Sequence, residues 1–299
     1  MNKSKETAAD KANPQAEFDS LMPATQLNRR GFIVTALGAG FALAVQPSAA
    51  QSPIKTDAEG LVAGEIKVPV SDGEMVAYRA APAGAKSAPV VLVVSEIFGV
   101  HEHIADVCRR LAKQGYLAIA PELFARYGDP RKIASVPDIL ANIIARTPDA
   151  GVMADLDSCV AWAGKNGGDA SRLAITGFCW GGRITWLYAA HNPRLKAGVA
   201  WYGRLDGEVN DRTPKYPLDL AGQLKAPVLG LYGGADQGIP LDDVKSMQDE
   251  LAKAGGKSQI HVYDGAPHAF HADYRPSYRK EPAVDGWKRM LAWLRSNEV

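Results

Sequence analysis

Short apolar segments alternate with segments of helical periodicity along most of the chain. Residues 90–94 form a run rich in β-branched side chains between Pro89 and Gly99, which is typical of a buried parallel strand. This alternation predicts a single α/β domain over about residues 61–299, with a mostly parallel central sheet covered by helices on both faces. The other predicted strands are residues 116–120, 173–176, 197–202, 228–232 and 259–263, and the predicted helices include residues 104–111, 152–163, 242–254 and 284–294.

The first fifty residues follow a different pattern, in which two adjacent arginines precede a short apolar run. After Arg29 and Arg30, residues 31–45 are mostly apolar or small, and residues 48–50 are small enough for cleavage by a signal peptidase. This run of 15 residues is shorter than the ~18 that a membrane span needs. The segment resembles a twin-arginine export signal, with an uncleaved anchor or a buried helix as alternatives.

The resemblance to an export signal has consequences for the domain boundaries and the location. We predict that residues 1–50 are the signal peptide and that residues 51–60 form a short linker before the α/β domain. The expected partner of the signal is the twin-arginine export machinery, and the expected location is periplasmic or secreted. We expect no stable membrane association after cleavage.

Charge and cysteine content exclude several classes of protein. The 299 residues include 34 Lys and Arg against 33 Asp and Glu, and the part after residue 50 carries 29 of each. Nucleic acid is therefore not an expected partner, because its binding depends on concentrated positive charge. Three cysteines cannot build a disulfide scaffold, although the sequence leaves open whether Cys108 and Cys159 pair.

The first candidate for chemistry is Cys179, which lies where a predicted strand runs into a predicted helix. It is flanked by Gly177 and Gly181 in a Gly-x-Cys-x-Gly pattern, the form of a nucleophile elbow with cysteine in place of serine. Glycines permit the sharp turn that such an elbow requires, and the helix N-terminus favours the reactive thiolate. A small buried hydrophobic residue is the alternative role of this cysteine.

Two further residues follow the next predicted strands. Asp236 comes just after residues 228–232, and His268 comes just after residues 259–263. The order nucleophile, acid, histidine is that of α/β-hydrolases, and all three residues are expected at the carboxyl ends of strands. We predict that Cys179 attacks a carbonyl group, that His268 transfers the proton, and that Asp236 orients the imidazole. A turn cap and a hydrogen-bonded loop histidine are the alternative roles of the latter two.

Five segments of the chain form a specific combination of motifs. They are Ser-Glu-Ile-Phe-Gly-Val at 95–100, Pro-Glu-Leu-Phe-Ala-Arg at 121–126, Gly-Phe-Cys-Trp-Gly-Gly at 177–182, Gly-Gly-Ala-Asp at 233–236 and His-Ala-Phe at 268–270. Together these motifs resemble the dienelactone hydrolase family (carboxymethylenebutenolidases), over most of residues 61–299. The resemblance implies the α/β-hydrolase fold and hydrolysis of a small ester or lactone through a thioester acyl-enzyme.

The family resemblance adds three residues to the candidate site. It implies that Glu96 pairs with the resting thiol and helps to deprotonate it when substrate arrives; a solvated acid is the alternative. It also implies an oxyanion hole made by the backbone N–H groups of Trp180 and Ile97. The Trp180 side chain is expected either to line the pocket or simply to pack.

The sequence departs from the family in the region expected to bind a substrate carboxylate. Members that cleave dienelactone hold this group with arginines, one of them shortly after the histidine, and residues 271–274 contain none. Arg275 and Arg126 are candidates for the same task, and both could equally be surface ion-pair partners.

Other functional classes are less consistent with the motifs. His101 and His103, or His268 and His271, have spacings that metal ligands can have, but neither pair belongs to a Cys/His cluster, and the first pair is expected to be solvent-facing. No dinucleotide or phosphate-binding fingerprint and no Cys-x-x-Cys pair is present. We therefore predict neither a metal nor another cofactor. A thioesterase and an exported non-catalytic binding protein remain alternatives on the same fold.

Overall fold

The computed structural model describes residues 53–299, so the predicted signal peptide lies outside the described residues. Within this range, no helix is long and apolar enough to cross a bilayer. Eight strands form one sheet: β1 (Leu61–Val70), β2 (Gly73–Pro82), β3 (Ala88–Val94), β4 (Leu117–Pro121), β5 (Gly168–Phe178), β6 (Leu195–Trp201), β7 (Val228–Gly233) and β8 (Gln259–Tyr263).

The strand order is β1-β2-β4-β3-β5-β6-β7-β8, and all pairs from β4 to β8 are parallel. β1 pairs with β2 and β2 with β4 in antiparallel fashion. After β3 the chain moves to one side of the sheet to form β4, and it then returns to the other side of β3 to form β5. The carboxyl ends of β3 and β5 therefore flank a topological switch point, where open α/β sheets form their ligand crevices.

Helices cover both faces of the sheet. Because parallel crossovers are right-handed, the opposite directions of the β3–β4 and β5–β6 connections place their helices on opposite faces. The helices are α1 (Glu102–Lys113), α2 (Val136–Asn142), α3 (Asp149–Lys165), α4 (Trp180–His191), α5 (Pro217–Leu220), α6 (Leu241–Ala254) and α7 (Lys280–Ser296). The observed architecture confirms the predicted mostly parallel α/β sheet.

The six strands predicted from apolar runs are β3 to β8, with end residues that differ by a few positions. The strands predicted from the sequence include neither β1 nor β2. Both strands belong to an antiparallel hairpin at one edge of the sheet, and many of their residues are exposed or half-buried. In β1, for example, only Val68 is fully buried. Such strands lack the continuous apolar run of a strand buried on both faces.

Candidate active site

Cys179 occupies a strained turn between β5 and α4. It is the N-cap of α4, with φ 55° and ψ −116°, a left-handed conformation that is unusual for a residue with a side chain. A Cβ atom at Gly177 would lie 2.1 Å from the Gly181 carbonyl oxygen, and one at Gly181 would lie 2.3 Å from that of Val94. The two glycines are thus required by close backbone contacts, and the turn packs against the end of β3.

Asp236 and His268 meet on the loops that follow β7 and β8. Nδ1 of His268 lies 2.7 Å from Oδ2 of Asp236, and Oδ1 of the same carboxylate accepts a hydrogen bond from the Gly238 N–H at 2.9 Å. The loops are joined by the Ala235 N–H, which donates to the Ala266 carbonyl oxygen at 3.0 Å. Both side chains are buried, so the pair is shielded from water.

The environment of His268 favours its protonated form. Burial opposes the imidazolium, but the charges of Asp236 and Cys179 and the hydrogen bond to Asp236 raise the pKa of His268 well above its ordinary value. Nε2 makes no hydrogen bond of standard geometry among the described residues, so its contact with Cys179 is a loose one. Loose contacts between nucleophile and base are common in enzymes without substrate.

A cavity of about 140 Å³ lies beside Cys179 and His268. Cys179 is only 7% exposed, and its access to ligands is through this cavity. The Trp180 side chain contributes to the wall and packs on Phe124 with ring centroids 4.7 Å apart. The other lining residues are Leu140, Ile144, Thr147, Asp149, Arg183, Tyr202, Arg204, Thr213, Tyr216, Gly238 and Ile239.

Two backbone N–H groups near the cysteine lack hydrogen-bond acceptors. Ile97 follows β3 and Trp180 begins α4, and neither backbone N–H donates to another group in the described part of the chain. The close approach of Gly181 to the Val94 and Ser95 carbonyl groups joins the two segments. Both predicted oxyanion-hole amides therefore belong to chain segments that pack directly against each other.

Glu96 is buried at the same edge of the sheet but is bound differently from the expectation. Its Oε2 accepts a hydrogen bond from the Tyr274 hydroxyl, and Nε2 of His101 lies 3.8 Å from the same oxygen. Its Oε1 has no hydrogen-bond partner among the described residues. The resting pair of Glu96 with Cys179 is therefore not formed in this structure.

Several neighbouring groups shift the pKa of Glu96. Burial alone would raise its pKa, but hydrogen bonding to His101, the positive charge of Arg275 and the Tyr274 hydroxyl lower it to about 2. The sequence does not indicate that His101 and Tyr274 are neighbours of Glu96. Tyr274 is 178 residues away along the chain, and no local pattern signals the contact.

Neither arginine that was considered for substrate binding lines the cavity. Arg126 forms ion pairs with Asp72 and Asp155 at 2.6 and 2.5 Å, on a different part of the surface. Arg275 is buried beside Glu96, with its guanidinium 5.9 Å from the centre of the Phe98 ring. The surface ion pair, given as the alternative for Arg126, is what the structure shows, whereas Arg275 is not at the surface.

Two other arginines contribute to the cavity wall, Arg183 and Arg204. Arg183 makes a bidentate ion pair with Asp149, with both N–O distances at 2.7 Å, and its guanidinium lies 4.7 Å from the centre of the Tyr216 ring. A signal for Arg183 was present in the sequence, because a residue four positions after the N-cap faces the same side of the helix as the N-cap.

The remaining histidines and cysteines of the described domain lie in other environments. No group of three or more His, Cys, Asp or Glu side chains within residues 53–299 is arranged to hold a metal ion. The expectation that His101 and His103 face solvent is wrong, since both are buried, and Nδ1 of His103 lies 3.0 Å from Asp273. Cys108 and Cys159 are separate, buried free thiols, and burial raises the pKa of each.

Comparison with known proteins agrees with this arrangement. The profile of the "Dienelactone hydrolase family" matches residues 75–297. The chain is 60% identical over 285 residues to a protein of Methylorubrum extorquens named "Putative carboxymethylenebutenolidase", covering 95% of this chain and 98% of that protein. It is 54% identical over 264 residues to a protein of the same name from Escherichia coli K12, covering 88% and 97%.

A solved structure also resembles this chain. The crystal structure named "Putative Dienelactone Hydrolase" from Klebsiella pneumoniae has 57% sequence identity and a TM-score of 0.77, covering 79% of this chain and 98% of that one. The profile and these relatives span nearly all of the described domain. The chain therefore belongs to the dienelactone hydrolase family, a family of hydrolases with the α/β-hydrolase fold.

Proposed function

We propose that the protein hydrolyses a small carboxylic ester or lactone with Cys179 as the nucleophile. The observation that carries the proposal is the position of Cys179 at a strained helix N-terminus, beside a cavity that it lines together with His268, whose imidazole is paired with Asp236. The names of the relatives, which refer to the hydrolysis of a butenolide, support a lactone or a small ester as substrate.

The first half of the reaction forms a thioester. His268 takes the thiol proton, and the sulfur electron pair attacks the carbonyl carbon to give a tetrahedral oxyanion. The N–H groups of Ile97 and Trp180 are free to donate to this oxyanion. When the carbonyl re-forms, the carbon–oxygen bond to the leaving group breaks, and the imidazolium gives its proton to the departing alkoxide.

The second half regenerates the cysteine. His268 accepts a proton from water as the water oxygen attacks the thioester carbon. The carbon–sulfur bond then breaks, and the imidazolium returns its proton to the departing sulfur, which releases the carboxylic acid and regenerates the thiol. With a lactone, the alcohol and the acid remain in one product. Asp236 orients the imidazole and stabilises the imidazolium in both halves.

The test is hydrolysis of p-nitrophenyl acetate by the wild-type protein and Cys179→Ala, with Cys108→Ala and Cys159→Ala as matched controls. We expect Cys179→Ala to lose activity and the two control variants to retain it, because Cys108 and Cys159 are buried away from the cavity. Intact mass after brief exposure should show one acyl group on the wild-type chain and none on Cys179→Ala. Equal rates for Cys179→Ala and the wild type would contradict the proposal.

The natural bond type is tested with a panel of lactones, aryl esters and thioesters compared by kcat/KM. We expect the highest values for small esters or lactones, because the cavity of about 140 Å³ accommodates a small acyl group. A clear preference for thioesters would instead identify a thioesterase of the same fold. The absence of turnover with every member of the panel would favour the non-catalytic binding protein.

We also propose export through the twin-arginine pathway, on the basis of Arg29, Arg30 and the apolar residues 31–45. Replacing both arginines, as Arg29→Lys with Arg30→Lys, should prevent accumulation in the periplasm. Unchanged periplasmic accumulation of this double variant would show that another signal directs the protein.

A further inference from the structure

The two oxygens of the Glu96 carboxylate have different surroundings. Oε2 faces the Tyr274 hydroxyl and Nε2 of His101, whereas Oε1 is buried with no hydrogen-bond partner among the described residues. Leaving a buried acceptor without a donor costs about 1–3 kcal/mol. A donor that came within reach of Glu96 would therefore form a hydrogen bond with it.

The Tyr274 side chain is held firmly in place. Its ring lies edge-on to the His101 ring at 4.8 Å and contacts the His103 ring at 5.2 Å. The preceding residue, Asp273, accepts hydrogen bonds from His103 at 3.0 Å and from Arg110 at 2.7 Å. These contacts attach the loop that carries Tyr274 to α1, so the hydroxyl that faces Glu96 has little freedom to move.

The groups around Glu96 favour its ionised form and explain the role of His101. Burial lowers the pKa of His101, and its Nε2 lies 3.8 Å from Oε2 of Glu96. Arg275 adds a positive charge from the same loop as Tyr274. Gly181, two residues after Cys179, closely approaches the carbonyl groups of Val94 and Ser95, so the segment that carries Glu96 packs against the turn that carries the thiol.

We infer that Tyr274, assisted by His101, is a positioning residue that holds Glu96 away from the Cys179 thiol, so that the thiol proton passes to His268. In that transfer the S–H bond breaks, an N–H bond forms at Nε2, and the electron pair stays on sulfur. A released Glu96 would instead accept a hydrogen bond from the thiol and stabilise its neutral form. This inference rests on the proposed function, in which Cys179 is the nucleophile.

The test is a double-mutant cycle read by the alkylation of Cys179 with iodoacetamide as a function of pH. We expect Tyr274→Phe to slow alkylation about tenfold at neutral pH and to move the midpoint of the pH profile upward, since the freed carboxylate stabilises the neutral thiol. In the Glu96→Gln background the same substitution should change the rate less than twofold, because no carboxylate is left to release. Tyr278→Phe, in the same loop but outside the cavity, should match the wild type.

Several outcomes would overturn the inference. One is equal slowing by Tyr274→Phe in both backgrounds, which indicates a general structural effect, and another is an unchanged rate in the wild-type background. Thermal unfolding checks that Tyr274→Phe is folded; if it is not, His101→Asn is put through the same cycle with the same expected pattern. The alkylation measurement does not depend on hydrolysis. Ester hydrolysis by Cys179→Ala would therefore refute the proposed function, while the double-mutant cycle would still decide the role of Tyr274.

Discussion

Two buried carboxylates, Asp236 and Glu96, lie at the edge of the sheet that carries Cys179, and they are held in different ways. On what we call the histidine side, Asp236 binds His268 and a backbone N–H, within two neighbouring loops. On the glutamate side, Glu96 is held by His101 from the start of α1 and by Tyr274 and Arg275 from the loop before α7. The histidine side is built from local turns, whereas the glutamate side is assembled from distant parts of the chain.

The difference separates two electrostatic tasks. On the histidine side the group next to the carboxylate is an imidazole with a raised pKa, which can take a proton from the thiol and return it to a leaving group. On the glutamate side the partners are the Tyr274 hydroxyl, a histidine whose pKa is lowered by burial and a permanently charged arginine, so Glu96 stays ionised down to a pH of about 2. The first side is suited to exchanging protons and the second to keeping a constant negative charge.

The largest expected effect comes from removing the exchanging group. His268→Ala should lower kcat for p-nitrophenyl acetate by roughly 10²–10⁴-fold, the usual contribution of a general acid–base group. Asp236→Asn should act in the same direction, because the imidazole loses the partner that orients it. His191→Ala is the matched control, since this histidine is exposed and pairs with Asp157 outside the cavity. Comparable kcat values for His268→Ala and His191→Ala would remove the distinction between the two sides.

A second prediction uses the pH dependence of protein stability to test whether Glu96 stays ionised. The pKa of Glu96 is about 2 in the folded protein and near 4.5 in an unfolded chain. The unfolded state therefore binds more protons between these pH values, so the contribution of Glu96 to stability is present above pH 4.5 and is lost as the pH falls toward 2. The loss amounts to about 3 kcal/mol.

The measurement compares denaturant unfolding of the wild type and Glu96→Gln at pH 6 and at pH 3. Other carboxylates contribute equally to both proteins, so the difference between the two pH dependences reports Glu96. We expect the wild type to lose more free energy of unfolding on acidification than Glu96→Gln. Parallel losses would mean that Glu96 is not held as an ionised group.

The histidine side was predictable because its determinants are local. Glycines that allow a sharp turn, and acids and histidines that directly follow apolar strands, appear as short patterns, and the carboxyl ends of parallel strands share one edge. From these patterns the sequence placed Cys179, Asp236 and His268 at one edge of the sheet, as observed. The same logic predicted β3 to β8 but missed the β1–β2 hairpin, whose exposed positions interrupt the apolar pattern.

The glutamate side was not predictable in the same way, because its contacts join residues far apart in sequence. A histidine at the start of a helix is expected to face solvent unless another segment covers it, and here the loop that carries Tyr274 covers His101 and His103. Arg275 was singled out for a substrate carboxylate, but it lies beside a carboxylate of the protein instead. The position of Arg275 in the sequence indicated an arginine that faces a carboxylate, but not which carboxylate it faces.

The smallest effect on catalysis is expected from Arg126, which belongs to neither side. Its guanidinium is held by Asp72 and Asp155 away from the cavity, so Arg126→Ala should leave kcat/KM within about twofold, as expected for a residue that does not touch substrate. Stability should fall by about 1–2 kcal/mol, because the buried Asp155 loses its partner while Asp72 is already solvated. Arg126→Lys, which keeps the charge, should recover part of that stability. The measurement compares kcat/KM of Arg126→Ala and the wild type with a neutral ester and with an ester that carries a carboxylate. A decrease in kcat/KM of the variant for the charged ester alone would show that Arg126 contacts the substrate and that the cavity extends to the ion pairs of Arg126 with Asp72 and Asp155.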